Sequence, residues 1–266
     1  KPSSAASDVY KRQLDSGSWT AATSPLSLST LSQGSHTIQV RAIDAAGNTD
    51  ASPASASWTV DTVAPEIPSL SSPATGTNSD DTTPTFSWGV VSGACLYVLQ
   101  VDDDSSFNSP SAWGIETASF TTPSQANGTY YWRVMAVDGA NNTSVYSSPW
   151  TYVIDTAAPT TTITSAPSGD VSSTTASVSF TSNETGVTFQ SKLDSGSWTT
   201  ATSPLSLTSL TQGAHTIKIR AIDAAGNTDA TPASASWTVD TSAPNTTLSL
   251  IHISEPTRPL YISYAV

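Results

Sequence analysis

Residues 36–44 read HTIQVRAID. On an extended backbone His36, Ile38, Val40 and Ala42 share one side, and Thr37, Gln39 and Arg41 the other. This period of two predicts a half-buried strand. The pattern returns in TYYWRVMAVD at 129–138 and HTIKIRAID at 215–223. Shorter alternating runs (TFSW, LYVLQVD, WTYVI, SWTV) lie between stretches rich in Ser, Gly, Pro and Asn, the composition of turns. No useful length of chain keeps a 3.6-residue period. The expected fold class is therefore all-β, built as sandwiches.

The apolar pattern is also copied. Residues 14–65 return as residues 193–244 at a constant offset of 179, and 43 of the 52 positions are identical. The differences respect the two faces. Val40 becomes Ile219 on the apolar side, a near-isosteric change that a packed core accepts, and Gln39 becomes Lys218 on the polar side.

Three copies of D-T-x-A-P punctuate the chain, at Asp61, Asp155 and Asp240, each directly after an aromatic strand. Proline cannot donate to a ladder, so each motif ends one strand and opens a new edge. The spacings, 94 and 85 residues, suit single sandwiches. In the last interval strands are expected at 160–165, 176–181, 187–192, 205–207, 215–223 and 235–239, with Asp223-Ala-Ala-Gly-Asn227 as a hairpin.

That interval resembles the bacterial Ig-like repeats of large secreted surface proteins. Those carry F-x-C-x-L-D-G-x-x-W-x-x-C-x-S-P followed by G-x-H-x-F-x-V-R-A-x-D-x-A-G-N, and the match runs from Phe189 to Pro244. Ser191 and Ala201 stand where the two cysteines of that pattern would be, and Ala22 replaces the second in the first copy. Relative to such repeats, each sandwich forgoes a bridge worth about 2–4 kcal/mol. The middle interval resembles bacterial fibronectin type III modules. Tyr130 lies six residues before Ala136, where those modules place a corner tyrosine, and His36 and His215 occupy the same corner in the two copies.

The resemblances imply tandem Ig-like and fibronectin III-like β-sandwiches arranged as beads on a string. The expected divisions are 14–64, an Ig-like domain lacking its N-terminal strands; 65–157, fibronectin III-like; 158–242, a complete Ig-like domain; and 243–247, the start of another. Residues 1–13 and 248–266 resemble in-frame translations of sequencing-adapter DNA and are expected to lie outside the natural domains. In the repeat register Tyr10 nonetheless falls opposite Phe189, so a strand is expected across DVYKRQ at 8–13, with an incomplete core on that side.

The formal net charge of −12, from 9 Lys and Arg against 21 Asp and Glu, makes nucleic acid a poor partner. No apolar run is long enough to span a bilayer as a helix. One cysteine, Cys95, allows no internal disulfide and is expected to be a buried small hydrophobe.

Three residue classes could carry chemistry. His36 and His215 occupy equivalent positions in two copies and are expected to bond a nearby backbone carbonyl, not to form a nucleophile–base pair. Asp102-Asp103-Asp104 and Asp80-Asp81 do not follow a calcium-loop pattern. The joint residues Asp61, Asp155 and Asp240 are the metal candidates: each could share a calcium ion with a neighbouring hairpin loop. No other cofactor is expected. Among the aromatics, Trp132 and Trp150 are the candidates for stacking on sugar rings.

The function expected is a non-catalytic spacer or adhesive repeat segment of a long bacterial secreted or cell-surface protein, located outside the cell. The alternative is a carbohydrate-binding accessory region of a secreted polysaccharide-degrading enzyme. The expected partners are neighbouring sandwiches of the same chain, with surface proteins or glycans beyond them. No catalytic residue is expected.

Overall fold

A computed structural model describes residues 9–246. The chain is all-β and divides between Ala157 and Ala158 into two compact units. Among the described residues no helix is long and apolar enough to cross a membrane.

The first unit begins with β1 (Val9–Leu14), β2 (Thr20–Ala22), β3 (Gly34–Ile43) and β4 (Ala54–Val60). They form one antiparallel sheet in the order β2-β1-β3-β4. The inner face carries Ile38, Val40, Ala42, Trp58 and Val60, all only half-buried. Among the described residues no second sheet pairs over this face.

Of the strand expected at 8–13, residue 8 lies outside the described residues and the rest forms as part of β1. Its backbone fits the register and its chemistry does not. Lys11 lies opposite Arg41, where the intact copy pairs Gln190 with Arg220. Gln190 Oε1 accepts from Arg220 Nε and Nη2 at 2.9 and 2.6 Å. Arg41 faces a second cation instead, and its Nε is buried without a partner. Arg12 occupies the inward position that the buried Ser191 holds in the intact copy.

The unit continues as a sandwich. β5 (Leu70–Ser72), β7 (Thr85–Trp88) and β10 (Ser119–Thr121) make a three-stranded sheet. β6 (Thr77–Ser79), β8 (Ala94–Asp102), β9 (Ser111–Ile115), β11 (Gly128–Asp138) and β12 (Trp150–Ile154) make a five-stranded one, ordered β6-β12-β11-β8-β9. Alternation puts Trp132, Val134 and Ala136 of β11 inside with Tyr97, Leu99 and Val101 of β8. They close on Phe86 and Trp88 of the smaller sheet.

Cys95 is exposed, contrary to expectation. The ladder between β8 and β11 slips at Val137/Asp138, so that Leu96 and then Ala94 are paired and Cys95 is the residue passed over. A bulge turns its extra residue out of the alternation, which sequence parity alone does not register.

The second unit, taken by itself, repeats the plan. β13 (Thr161–Ser165), β15 (Ala176–Ser182) and β18 (Leu205–Leu207) form one sheet. β14 (Gly169–Val171), β16 (Thr188–Leu193), β17 (Thr199–Ala201), β19 (Gly213–Ile222) and β20 (Ala233–Val239) form the other. Val178 and Phe180 cover Ile217, Ile219, Trp237 and Val239, all buried. The expected strands appear within two residues of their bounds. The sequence reading missed β14 and β17, three-residue edge strands too short to show a period.

Candidate functional site

The recurring polar structure lies where β3, β11 and β19 begin and where the chain leaves the strand paired to each. Gln33, Asn127 and Gln212 directly precede β3, β11 and β19. Each carboxamide reaches the aspartate of the D-T-x-A-P motif 28 residues later. Gln33 Nε2 donates to Asp61 Oδ1 at 2.6 Å, Asn127 Nδ2 to Asp155 Oδ1 at 3.4 Å, and Gln212 Nε2 to Asp240 Oδ1 at 2.7 Å. The carboxamide oxygen takes the next residue. Gln33 Oε1 accepts from Thr62 N and Oγ1 at 2.8 and 3.0 Å, and Gln212 Oε1 from Thr241 N and Oγ1, both at 2.8 Å. Asn127 Oδ1 accepts from Thr156 Oγ1 at 2.9 Å. Each aspartate also accepts from the backbone two residues on, at Val63, Ala157 and Ser242. The Asp and Thr of the motif are thus halves of a clasp. The Ser242 amide and then Gln212 hold the Asp240 carboxyl below its ordinary range. The sequence reading missed the amides; their shared place before a strand-opening glycine was the available signal.

The hairpin carboxylates are equally occupied. Asp44 Oδ1 accepts from Ala46 N and Asn48 N at 2.9 Å, while Asn48 Nδ2 bonds Oδ2 at 2.8 Å. Asp138 with Asn142, and Asp223 with Asn227, repeat this arrangement. Asn141 in the middle hairpin takes the positive φ, 68°, that Gly47 and Gly226 take in the others. The Asp44 carboxyl is depressed by Asn48, through its side chain and then its backbone. Within the first unit Asn142 Nδ2 also donates to the Asp61 carbonyl at 3.1 Å, tying the middle hairpin to the joint.

The corner histidines are held at both ring nitrogens. His36 Nδ1 meets Asp15 Oδ2 at 2.6 Å and Nε2 meets the Ser32 carbonyl at 2.7 Å. His215 meets Asp194 Oδ2 at 2.9 Å and the Thr211 carbonyl at 2.8 Å. A neutral imidazole has one N–H, so two acceptors favour the imidazolium. For His36 the Ser32 carbonyl and then Asp15 raise the ring above its ordinary value; for His215 Asp194 leads and the Thr211 carbonyl follows. Burial works against ionised Asp194, but the Thr216 amide and His215 outweigh it and hold the carboxyl low. With both nitrogens occupied, neither ring offers a lone pair to a substrate in this conformation. In the middle sandwich Tyr130 fills the corner, its hydroxyl donating to the Ala126 carbonyl at 3.0 Å.

The aromatic candidates behave differently. Trp132 and Trp150 are cross-strand partners, as their adjacency requires, but on the inner face. Trp132 is 0% exposed and meets Phe86 at 4.9 Å, so it presents no face to a sugar. Trp150 is half-buried, packed edge-on against Trp132 at 5.9 Å. The stacking assignment is therefore corrected for Trp132, whose ring the sandwich interior consumes. Trp19 and Trp198 lie beneath Arg41 and Arg220, at 4.0 and 4.2 Å. Trp113 on β9 is half-buried and lines an open cleft of 380 Å³ with Asp102, Asp103, Ser111, Gln125 and Tyr130. Of the acidic run, Asp102 is buried and accepts from the Ser109 and Asp104 amides, shaping the loop that follows β8.

No family model matches this chain, and no curated protein matches it either. Solved structures of fibronectin-type modules are similar to it. The Clostridium thermocellum CbhA fibronectin(III)-like modules share 17% identity over 65% of this chain and 93% of that one, with a TM-score of 0.44. The chicken CNTN1 FN1–FN3 domains share 14% over 88% and 89%, with a TM-score of 0.46. A 1.5-MDa bacterial ice-binding adhesin, in a structure concerned with host cell surface retention, shares 17% over 88% and 87%, with a TM-score of 0.38.

Proposed function

We propose that the chain is a non-catalytic spacer or adhesive repeat segment of a long bacterial secreted or cell-surface protein, acting outside the cell. One observation carries this reading: the same amide–Asp–Thr clasp closes the strand exit at Asp61, Asp155 and Asp240. The polar groups that recur from copy to copy are spent on joints, hairpins and corners, the parts a load-bearing array repeats. Pulling a single chain from its ends tests the reading. Each intact sandwich should unfold in its own event, releasing about 28 nm for roughly 80 residues at about 3.5 Å each, and refold when relaxed. One concerted event for the whole chain would refute it.

A second reading, a carbohydrate-binding accessory region of a polysaccharide-degrading enzyme, is favoured by the Trp113 cleft, which sets an indole beside carboxylate, hydroxyl and amide groups. A polysaccharide that binds the chain, and whose binding Trp113→Ala abolishes, would support it. Silence across a glycan array would sink it.

A further inference from the structure

The second unit gathers its lysines and arginine on one surface. Lys192, Lys218 and Arg220 are the only such residues between 158 and 246. On β16 the buried Ser191 points inward, so Lys192 faces outward. On β19 the buried Ile217, Ile219 and Ala221 turn Lys218 and Arg220 outward too. The strands are neighbours, with Lys192 opposite Lys218 and Gln190 opposite Arg220. All three cations therefore share the outer face of one sheet. Their Cα atoms stand about 5 Å apart across the strands and about 7 Å apart along β19.

Two observations separate this face from an ordinary solvated one. Like charges directly opposite on a ladder destabilise it, and the first copy carries the neutral Gln39 where Lys218 stands. The chain also holds 21 acidic side chains, yet among the described residues none forms a salt bridge with Lys192, Lys218 or Arg220. The fold gathers the cations and leaves them unmatched. Arg220 is, in addition, held in place. Gln190 Oε1 accepts from its Nε and Nη2, and its guanidinium lies 4.2 Å over the Trp198 ring. Hydroxyls flank the cations. Ser234 is opposite Lys218, and Thr216, two residues before Lys218, bonds Ser236 at 2.9 Å.

We infer that the outer face of β16 and β19 is a docking surface for a carboxylated polysaccharide, a polyuronate chain laid along the sheet. Charge complementarity carries the assignment. A row of carboxylates supplies the partners that the three cations lack, and a fixed guanidinium suits a carboxylate in particular. The sugar hydroxyls between the carboxylates meet the Ser and Thr hydroxyls of the same face; an acidic peptide offers the carboxylates without those hydroxyls. An extended polymer matches a flat sheet that has no pocket for a single side chain. The surface is distinct from the Trp113 cleft, which belongs to the first unit.

The test titrates the full chain with oligogalacturonate and follows NMR amide shifts. At about 1 mM ligand the shifts of β16 and β19 should move, and the response should fade between about 0.05 and 0.5 M salt. The uncharged methyl ester of the same oligomer should move none. Lys218→Gln, which restores the residue of the first copy, should weaken binding at least about threefold, and Lys192→Glu at least about tenfold. Lys192→Glu should also raise the thermal midpoint of the second unit by about 2–5 °C, because it turns a repulsive cross-strand pair into an attractive one. Binding lost from a more stable fold is lost at the contact itself. Any of five results would overturn the inference: no shifts on β16 and β19, shifts confined to the residues around Trp113, equal shifts from the methyl ester, equal affinity for poly-glutamate, or undiminished binding by both lysine variants.

Discussion

The chain contains its own control for the value of a closed core. Ile217 and Ile38 are the same residue at the same place in two copies. Ile217 is 0% exposed beneath β13 and β15, whereas Ile38 is half-buried on a face without a cover. Changing Ile217 to Ala removes three carbons from a packed site and leaves a cavity, so the second unit should lose about 2–5 kcal/mol. At Ile38 solvent already reaches the site and no closed cavity can form. Only a transfer cost remains, about 0.8 kcal/mol per methylene scaled by partial burial, or roughly 1 kcal/mol. Native-state amide exchange at β19 and β3 measures both in one molecule. A loss of about 3 kcal/mol appears as roughly a hundredfold faster exchange through global opening of the second unit, against about fivefold at β3. Equal acceleration at the two strands would refute the reasoning, because Ile38 would then be enclosed in solution.

Three further outcomes follow from particular groups. The raised His215 stabilises the fold fully below its ordinary value of 6.5 and loses that contribution as pH rises through its higher folded value. The lowered Asp194 contributes above its ordinary value of 3.8 and loses it as pH falls through its depressed one. The thermal midpoint of the second unit should therefore be flat between these ordinary values and fall on both sides, and His215→Gln should abolish the alkaline fall; an unchanged alkaline limb would contradict the assignment. Lys11→Gln should give Arg41 Nε the acceptor that Gln190 gives Arg220, slowing amide exchange across β1 and β3 by about 1 kcal/mol of added stability. Cys95, exposed in its bulge, should react completely with a thiol reagent in the folded chain; protection until denaturation would place it inside.

Much of the site was legible as repetition. The corner histidines, the D-T-x-A-P exits and the Asp–Asn hairpins were visible because each recurs at a fixed offset. Their partners were less so. Gln33 and Asp61 are 28 residues apart and share no local pattern; only the return of the chain beside its own strand brings them to 2.6 Å. The joint carboxylates Asp61, Asp155 and Asp240 each accept from a side-chain amide 28 residues earlier, a partner that sequence spacing does not encode.

Taken alone, the sequence determined the all-β class, the long strands and their faces, because period two is a property of the extended backbone itself. It also determined that residues 14–65 and 193–244 share their long strands, hairpin and corner histidine. Tertiary structure decided what covers each face. Trp132 goes to the interior because the smaller sheet closes over β11, and Cys95 goes to the surface because a bulge breaks parity beside it. Residues 26–28 and Leu205–Leu207 have the same sequence at their core, LSL, yet only the second forms a strand. A strand needs a partner for its backbone, and β15 is present for one copy and not, among the described residues, for the other.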